Sequence, residues 1–243
     1  MNNKYIEKSD GRKGEKLSTS TTILGIVAAF MVIAVISQAL ESLVNYYRQP
    51  LRNAILKGDI DAIEQAISDG AKVNNTMNAR TPLTLAFTYG TCREEEGPKS
   101  DYFRYRKIRE MVEILISNGV NVNMADESGN IPLIVTMTTG FWHNPPEQDT
   151  IQEYKKIVRI LVTNGADVNV STENGETPLH WALYDARSFD NLDVIELLLK
   201  NGAKVNVRND EGESPLELAK KQENEEIMKL LLNYSTKQDS IPG

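Results

Sequence analysis

Cysteine and histidine are almost absent from this chain of 243 residues. Its single cysteine, Cys92, allows no internal disulfide, and two histidines supply too few ligands for an ordinary structural zinc site. The chain also lacks a glycine-rich phosphate loop of the mononucleotide or dinucleotide type. Cys92 and His143 could form a nucleophilic pair, but no third group that would orient them can be named. These absences predict no cofactor, no metal and no catalytic residue, so the chain is not expected to be an enzyme.

Basic charge is also scarce. The chain has 27 lysines and arginines against 34 aspartates and glutamates, which gives a net charge of −7. Phosphate backbones are bound by basic surfaces, so this balance argues against nucleic acid as the main partner. Hydrophobic residues make up 40% of the chain, which is an ordinary share for a globular protein.

One stretch lacks charge altogether, namely the 24 residues between Lys16 and Glu41. Its centre, residues 23–36, reads ILGIVAAFMVIAVI, and the whole stretch exceeds the roughly 20 apolar residues that span a bilayer. We therefore predict a transmembrane anchor at residues 21–42. The alternative is a cleaved signal peptide, because the 14-residue centre also fits a signal core and Ser37-Gln38-Ala39 is a possible cleavage motif.

Lysine and arginine are unevenly distributed around this segment. Five precede it, and three follow it within a similar distance, at positions 48, 52 and 57. Because positively charged flanks tend to stay in the cytoplasm, residues 1–20 are predicted to form a cytoplasmic tail and the chain after Glu41 to lie outside. A cleaved signal peptide would also place the remainder of the chain outside the cytoplasm.

Two short phrases alternate along the rest of the chain. The first is Gly-x-x-Val-Asn, with its glycines at Gly70, Gly119, Gly165 and Gly202. The second is Pro-Leu after Thr, Ile or Ser, with its prolines at Pro82, Pro132, Pro178 and Pro215. Proline after a capping residue suits the first turn of a helix, and glycine can end a helix in the left-handed conformation. The phrases therefore predict pairs of helices, the first beginning at the proline and the second ending at the glycine.

An apolar stripe with helical spacing stands eight, seven, four and three residues before each of these glycines. With these phrases, the chain from Pro50 to about Tyr234 resembles the ankyrin-repeat family. The resemblance implies an all-α solenoid of about five helix-turn-helix units at residues 49–234, joined by projecting fingers and followed by a flexible tail at 235–243. His180 and Trp181, which belong to the fullest copy of the second phrase, are then expected to be structural.

The units are longer than those of the family. The family places about 21 residues between the start of the Thr-Pro-Leu phrase and the closing glycine. Here that distance is 38 residues over 81–119, 34 over 131–165 and 25 over 177–202. Since both phrases are intact, the extra residues must lie between the two helices of a unit. Insertions at the same point of stacked units emerge at the same edge of the solenoid.

Ten of the sixteen aromatic residues lie in or beside these insertions. Tyr, Trp and Arg are enriched at the hot spots of protein interfaces, so we predict a partner-binding edge. The alternative is that the aromatics lengthen the second helices and pack locally as a small core, and both can hold if some rings point inward and others outward. The candidate partner-binding residues are Tyr89, Tyr102, Phe103, Tyr105, Phe141, Trp142 and His143.

The sequence thus predicts a non-enzymatic protein-binding module, held at the inner membrane by a single pass with its repeats in a bacterial periplasm. The architecture is similar to that of exported ankyrin-repeat immunity proteins, which implies a secreted antibacterial toxin as the partner. A different expectation is an envelope scaffold or stress-protection protein, similar to bacterial ankyrin proteins linked to peroxide defence.

Overall fold

The computed structural model describes residues 27–28, 30–38, 49–88, 99–138, 147–186 and 190–239. The chain divides into two units, Met1–Arg48 and Gln49–Gly243. The described residues of the first unit are helical, and apolar side chains such as Phe30 and Met31 are exposed. Within the described part of the chain, no helix has the length and apolar character needed to cross a bilayer. Half of the predicted anchor at 21–42 and all of the predicted tail at 1–20 lie outside the described residues, and both stay predictions.

The second unit consists, in its described part, of ten helices that form five consecutive pairs. The first helices of the pairs are short and begin at a proline, and the second helices are mostly longer. In chain order the helices are α1 (Pro50–Lys57), α2 (Ile60–Ser68), α3 (Pro82–Ala86), α4 (Lys99–Ser117), α5 (Pro132–Thr138), α6 (Gln148–Thr163), α7 (Pro178–Asp185), α8 (Leu192–Lys200), α9 (Pro215–Lys221) and α10 (Glu225–Asp239). The predicted all-α architecture of about five helix pairs is therefore confirmed.

The two repeated phrases form the helix ends that the sequence predicted. At α9, the Ser214 hydroxyl accepts a bond from the Glu217 amide while the Glu217 side chain accepts from the Ser214 amide, and this reciprocal capping satisfies two otherwise unpaired N–H groups. Gly70, Gly119 and Gly165 follow the second helices with φ of 93°, 77° and 87°, which is the left-handed region that suits glycine.

The imidazole of His180 is fully buried and bonds to backbone on both sides. Its Nδ1 accepts from the Thr177 amide at 3.1 Å, so its Nε2 carries the proton and donates to the Glu213 carbonyl at 3.1 Å. Burial lowers the pKa of His180, although the nearby Glu176 carboxylate opposes that shift. The ring therefore joins α7 to the finger before α9 as a neutral group, which is the structural role expected for it.

The hydrophobic core follows the apolar stripe of the second helices. Residues of this stripe on neighbouring second helices are buried together with the first helices that cover them. Each fully buried leucine or isoleucine contributes about 1.5–3 kcal/mol relative to an exposed one. The stripe residues with no more than 4% exposure include Ile63, Met111, Val112, Leu115, Ile157, Val158, Leu161, Val194, Ile195, Leu198, Ile227 and Leu231.

The last helix is longer than predicted. Helix α10 continues to Asp239, so residues 235–239 of the predicted flexible tail are helical, and residues 240–243 lie outside the described part. Tyr234 packs against the core and Ser235 is buried, and this burial favours continuation of the helix past the predicted boundary.

Candidate partner-binding surfaces

The inserted residues partly lengthen the second helices. Helix α4 has 19 residues and α6 has 16, whereas α2 and α8, in units with little or no insertion, have 9 each. The rest of each insertion, at 89–98, 139–146 and 187–189, lies outside the described residues. The candidates Tyr89, Phe141, Trp142 and His143 belong to that part, so their role at a binding edge stays a prediction.

Two tyrosines of the lengthened helices pack inside the molecule. Tyr105 on α4 is 2% exposed, and its ring meets that of Tyr154 on α6 edge to face, with centroids 6.4 Å apart. The Tyr154 hydroxyl donates to the Asp185 carboxylate at 2.8 Å and contacts the Met137 sulfur at 3.3 Å. Tyr105, a predicted partner-binding residue, is therefore one of the rings that point inward. Its ring packs between α4 and α6 and supports the edge from within.

Burial controls the protonation of these groups. It raises the pKa of Tyr105 to about 12, although the neighbouring Arg104 opposes the shift. Burial also raises the pKa of Asp185 to about 6, while the bond from Tyr154 acts in the opposite direction. The phenols are therefore uncharged at neutral pH, and Asp185 titrates closer to neutrality than an ordinary aspartate.

Tyr102 and Phe103, at the start of α4, are placed differently from Tyr105. Phe103 is 60% exposed, Tyr102 is half-buried, and their rings stand edge to face with centroids 5.4 Å apart. Arg106 and Lys107 follow them on the helix and share the carboxylate of Glu110 at 3.2 and 3.3 Å. We call Tyr102, Phe103, Arg106 and Lys107 the inserted edge.

Ion pairs hold the lengthened helix α4 against α6. The Arg109 guanidinium contacts the Glu153 carboxylate at 2.6 Å, and Lys156 contacts the same carboxylate at 2.7 Å. Burial alone would raise the pKa of Glu153, but the hydrogen bonds from Lys156 and Arg109 outweigh it and lower the pKa. Lys155 of α6 reaches Asp193 of α8 at 2.7 Å, so the extended helices form a rigid support for the inserted edge.

A second aromatic pair lies beside the fingers that precede α7 and α9. Trp181 and Tyr184, one helical turn apart on α7, are half-buried, with ring centroids 5.8 Å apart at 78°. The Tyr184 hydroxyl donates to Glu176 at 3.0 Å, and the Asn209 amide donates to the same carboxylate oxygen at 2.8 Å. Sequence reasoning missed this pair as a candidate site because it assigned Trp181 to the structural phrase. The i, i+3 spacing of two aromatics on one helix is the signal that indicates a shared face.

The comparisons with known proteins concern the C-terminal part of this unit. A scan against models of protein families matches ankyrin repeats, in three copies, at residues 150–241. A search of curated proteins finds no match. Within the described residues, no group of three or more His, Cys, Asp or Glu side chains is arranged to hold a metal ion.

Proposed function

Because residues 150–241 are ankyrin repeats and the same unit recurs from Pro50 onwards, this chain is an ankyrin-repeat protein, and we propose that it is a binding module held at a membrane. Ankyrin repeats indicate a module for protein–protein interaction. The partner in this proposal is another protein, and catalysis has no part in it. The module binds through the inserted edge.

The exposure of Phe103 carries the proposal of a binding edge. Among the described residues of the repeat unit, Phe103 is the most exposed of the large hydrophobic side chains, ahead of Leu56 and Leu232. Its helix is fixed by buried Tyr105 and by the Arg109–Glu153 ion pair, so the ring is presented on a rigid support. Preorganised aromatic groups lose little conformational entropy on binding and often contribute most of the affinity.

The uncharged N-terminal stretch supports the membrane location. Its 24 residues suffice for one bilayer span, and its flanking lysines and arginines favour the cytoplasm for the N-terminus. In this proposal the repeats lie in the periplasm, joined to the inner membrane by a single pass. A narrower form makes the chain an immunity protein that neutralises a secreted antibacterial toxin, and the alternative is an envelope scaffold without toxin inhibition.

A rescue assay tests the binding edge and separates the two roles. Cells that express the chain are challenged with a panel of candidate secreted antibacterial toxins, and survival is compared for wild type, Tyr102→Ala, Phe103→Ala, Phe141→Ala and Trp142→Ala. Loss of a hot-spot ring costs about 2 kcal/mol or more of binding free energy, which is roughly thirtyfold in affinity, so protection should fall while melting stays unchanged.

The controls in this assay are Leu232→Ala and Tyr105→Ala. Leu232 is exposed on α10, away from the edge, so its variant should protect like wild type. Tyr105 is buried, so its variant should melt at a lower temperature and lose protection only as the fold is lost. Full protection by all four alanine variants would place the binding site elsewhere, and absence of protection by wild type against every candidate toxin would favour the scaffold.

The membrane location is tested separately. A reporter enzyme that is active only after export, fused at Gly243, should be active in cells, and the fusion should sediment with membranes. A shortened chain in the soluble periplasmic fraction would indicate cleavage after Ala39 and contradict the anchor. An inactive export reporter together with an active cytoplasmic one would overturn the proposed orientation.

A further inference from the structure

We propose that the Trp181–Tyr184 pair and the finger carboxylates beside it form a receptor for an arginine or lysine side chain on a basic segment of a protein partner. This site shares no residue with the inserted edge, and it is tested by different variants.

The first observation is that repeat four places two aromatic rings where the other described first helices have none. Trp181 and Tyr184 are the fourth and seventh residues of α7, counted from Pro178. No equivalent residue after the other Pro-Leu helix starts is aromatic: these are Asn53 and Leu56, Leu85 and Thr88, Val135 and Thr138, and Leu218 and Lys221. The half-buried indole therefore offers an apolar and π-rich surface that its neighbours lack.

The second observation is that the Tyr184 ring is fixed and stays neutral. Its hydroxyl is bonded to Glu176, which Asn209 also holds, so the phenol is tied to both adjoining fingers. Burial, with the nearby Glu176 and Glu211 carboxylates, raises the pKa of Tyr184 to about 12. A rigid aromatic pair of this kind needs little reorganisation to accept a ligand.

The third observation is the charge around the rings. The two fingers at 170–176 and 207–213 contain five acidic residues and a single basic one, Arg208. Arg208 is bonded to Glu217 through two nitrogens at 2.7 and 2.8 Å, which neutralises it locally. Glu173, Asp210 and Glu211 are exposed at the finger ends.

These features match a cation and disfavour other ligands. The face of a tryptophan or tyrosine ring attracts an ammonium or guanidinium group, and carboxylates within a Debye length increase its local concentration. The same carboxylates repel an acidic segment. A purely apolar segment would cover the ring surface but would gain nothing from the exposed carboxylates of Glu173, Asp210 and Glu211, whereas a basic segment gains from both.

The test uses the fluorescence of Trp181. The chain has two tryptophans, so Trp142→Phe makes Trp181 the sole one. The full-length Trp142→Phe chain, in nanodiscs of zwitterionic lipid, is titrated with a short arginine–glycine repeat peptide and with the matched glutamate–glycine peptide. The arginine peptide should change the emission of Trp181 saturably, and the glutamate peptide should not.

Matched variants distinguish a built site from net charge. The double variant Glu173→Gln/Glu211→Gln and the variant Tyr184→Leu should each weaken binding of the arginine peptide by roughly three- to tenfold. The double variant Glu225→Gln/Glu226→Gln changes the charge equally on exposed positions of α10 and should leave the affinity within about twofold of the parent. Melting curves check that every variant is folded.

Three results would overturn the proposal. The first is an absence of saturable emission change with the arginine peptide, and the second is an equal response to the glutamate peptide. The third is equal weakening by the two glutamine double variants, which would show attraction by net charge alone. None of these results bears on the survival assay at Phe103, so failure of this receptor is distinguishable from failure of the inserted edge.

Discussion

Ala79 adopts a φ of 68°, in the left-handed region that residues with a Cβ rarely occupy. The equivalent positions in the later fingers are glycines, Gly129, Gly175 and Gly212, with φ of 77°, 74° and 78°. The Ala79 carbonyl accepts a bond from the Glu127 amide at 2.8 Å, which ties this residue to the next finger in that conformation. The first finger is therefore strained at a position where the later fingers are relaxed.

We expect Ala79→Gly to stabilise the chain. Removing the Cβ relieves about 1–2 kcal/mol of strain, and the greater flexibility of unfolded glycine offsets about 0.4–1 kcal/mol of that gain. The free energy of unfolding in urea should therefore rise by about 0.5–1 kcal/mol. The reverse change, Gly212→Ala, should lower it, since a Cβ there meets no atom within 4 Å and strain is the sole cost. A lower stability of Ala79→Gly would contradict the assignment of strain.

The positions of individual aromatics could have been predicted better than they were. Tyr105 and Ile108 stand seven and four residues before Val112, so they continue the apolar stripe of α4 towards its start. Ile151 and Tyr154 have the same relation to Val158 on α6. Extending the stripe upstream places Tyr105 inside and Phe103 outside, as the structure has them. Grouping the aromatics by insertion alone concealed this, because composition does not say which face of a helix a residue occupies.

At the scale of helices, the five pairs and their ends could be predicted because proline, capping residues and glycine recur in fixed register. The start of α4 inside its insertion was not predicted, although Pro98 directly precedes Lys99, its first residue, and proline is typical of the start of a helix. The ion pairs between second helices also escaped prediction. Arg109 and Glu153 are 44 positions apart, and their contact depends on how the units stack.

The buried carboxylate of Glu153 should contribute strongly to the packing of α4 against α6. Glu153→Gln removes the charge that Arg109 and Lys156 share, and Arg109 is then left with Glu113 alone. Because the Glu153 side chain is 6% exposed and that of Arg109 is 20% exposed, we expect a loss of about 1–3 kcal/mol in unfolding free energy. The control is Glu196→Gln, which breaks an exposed pair with Lys200 and should change stability little. Equal effects of the two variants would exclude a special role for Glu153.

The contact between α6 and α7 should make stability depend on pH. Asp185 has a pKa of about 6 in the folded chain, above its ordinary 3.8, so between about pH 4 and 6 the folded state holds a proton that the unfolded state has released. Its contribution to the free energy of unfolding is therefore present below pH 4 and is lost as the pH rises through 6.

Asp185→Asn removes this titration. We expect the unfolding free energy of the variant, relative to wild type, to be higher at pH 7 than at pH 4 by about 1–3 kcal/mol, because one pKa unit corresponds to about 1.4 kcal/mol. Urea denaturation of both chains across this range measures the difference. A difference that does not change with pH would show that Asp185 titrates normally.

At the scale of the whole unit, the asparagine that ends each Gly-x-x-Val-Asn phrase joins one repeat to the next. Its side-chain amide donates to the closing glycine carbonyl of the following repeat, and its oxygen accepts from the backbone two residues after that glycine. Three consecutive copies have this geometry, with Asn74 bonded to Gly119 and Asn121, Asn123 to Gly165 and Asp167, and Asn169 to Gly202 and Lys204, over 2.6–3.0 Å. Asn206 meets no such glycine and contacts the Ser235 hydroxyl at 3.5 Å.

This ladder makes the stack cooperative, and Asn123 in its middle tests that view. Each repeat of a solenoid contacts its neighbours alone, so the coupling between successive repeats determines whether they unfold together. Asn123→Ala removes two bonds at 2.8 Å and should lower the unfolding free energy by about 1–2 kcal/mol. Amide exchange should accelerate more on one side of the break than on the other, since the two halves then unfold more independently.

Asn206→Ala loses a single long contact at the end of the ladder and should leave both the unfolding free energy and the amide exchange nearly unchanged. If Asn206→Ala costs as much as Asn123→Ala, the asparagines act as local finger residues and the coupling between repeats resides in the apolar stripe instead.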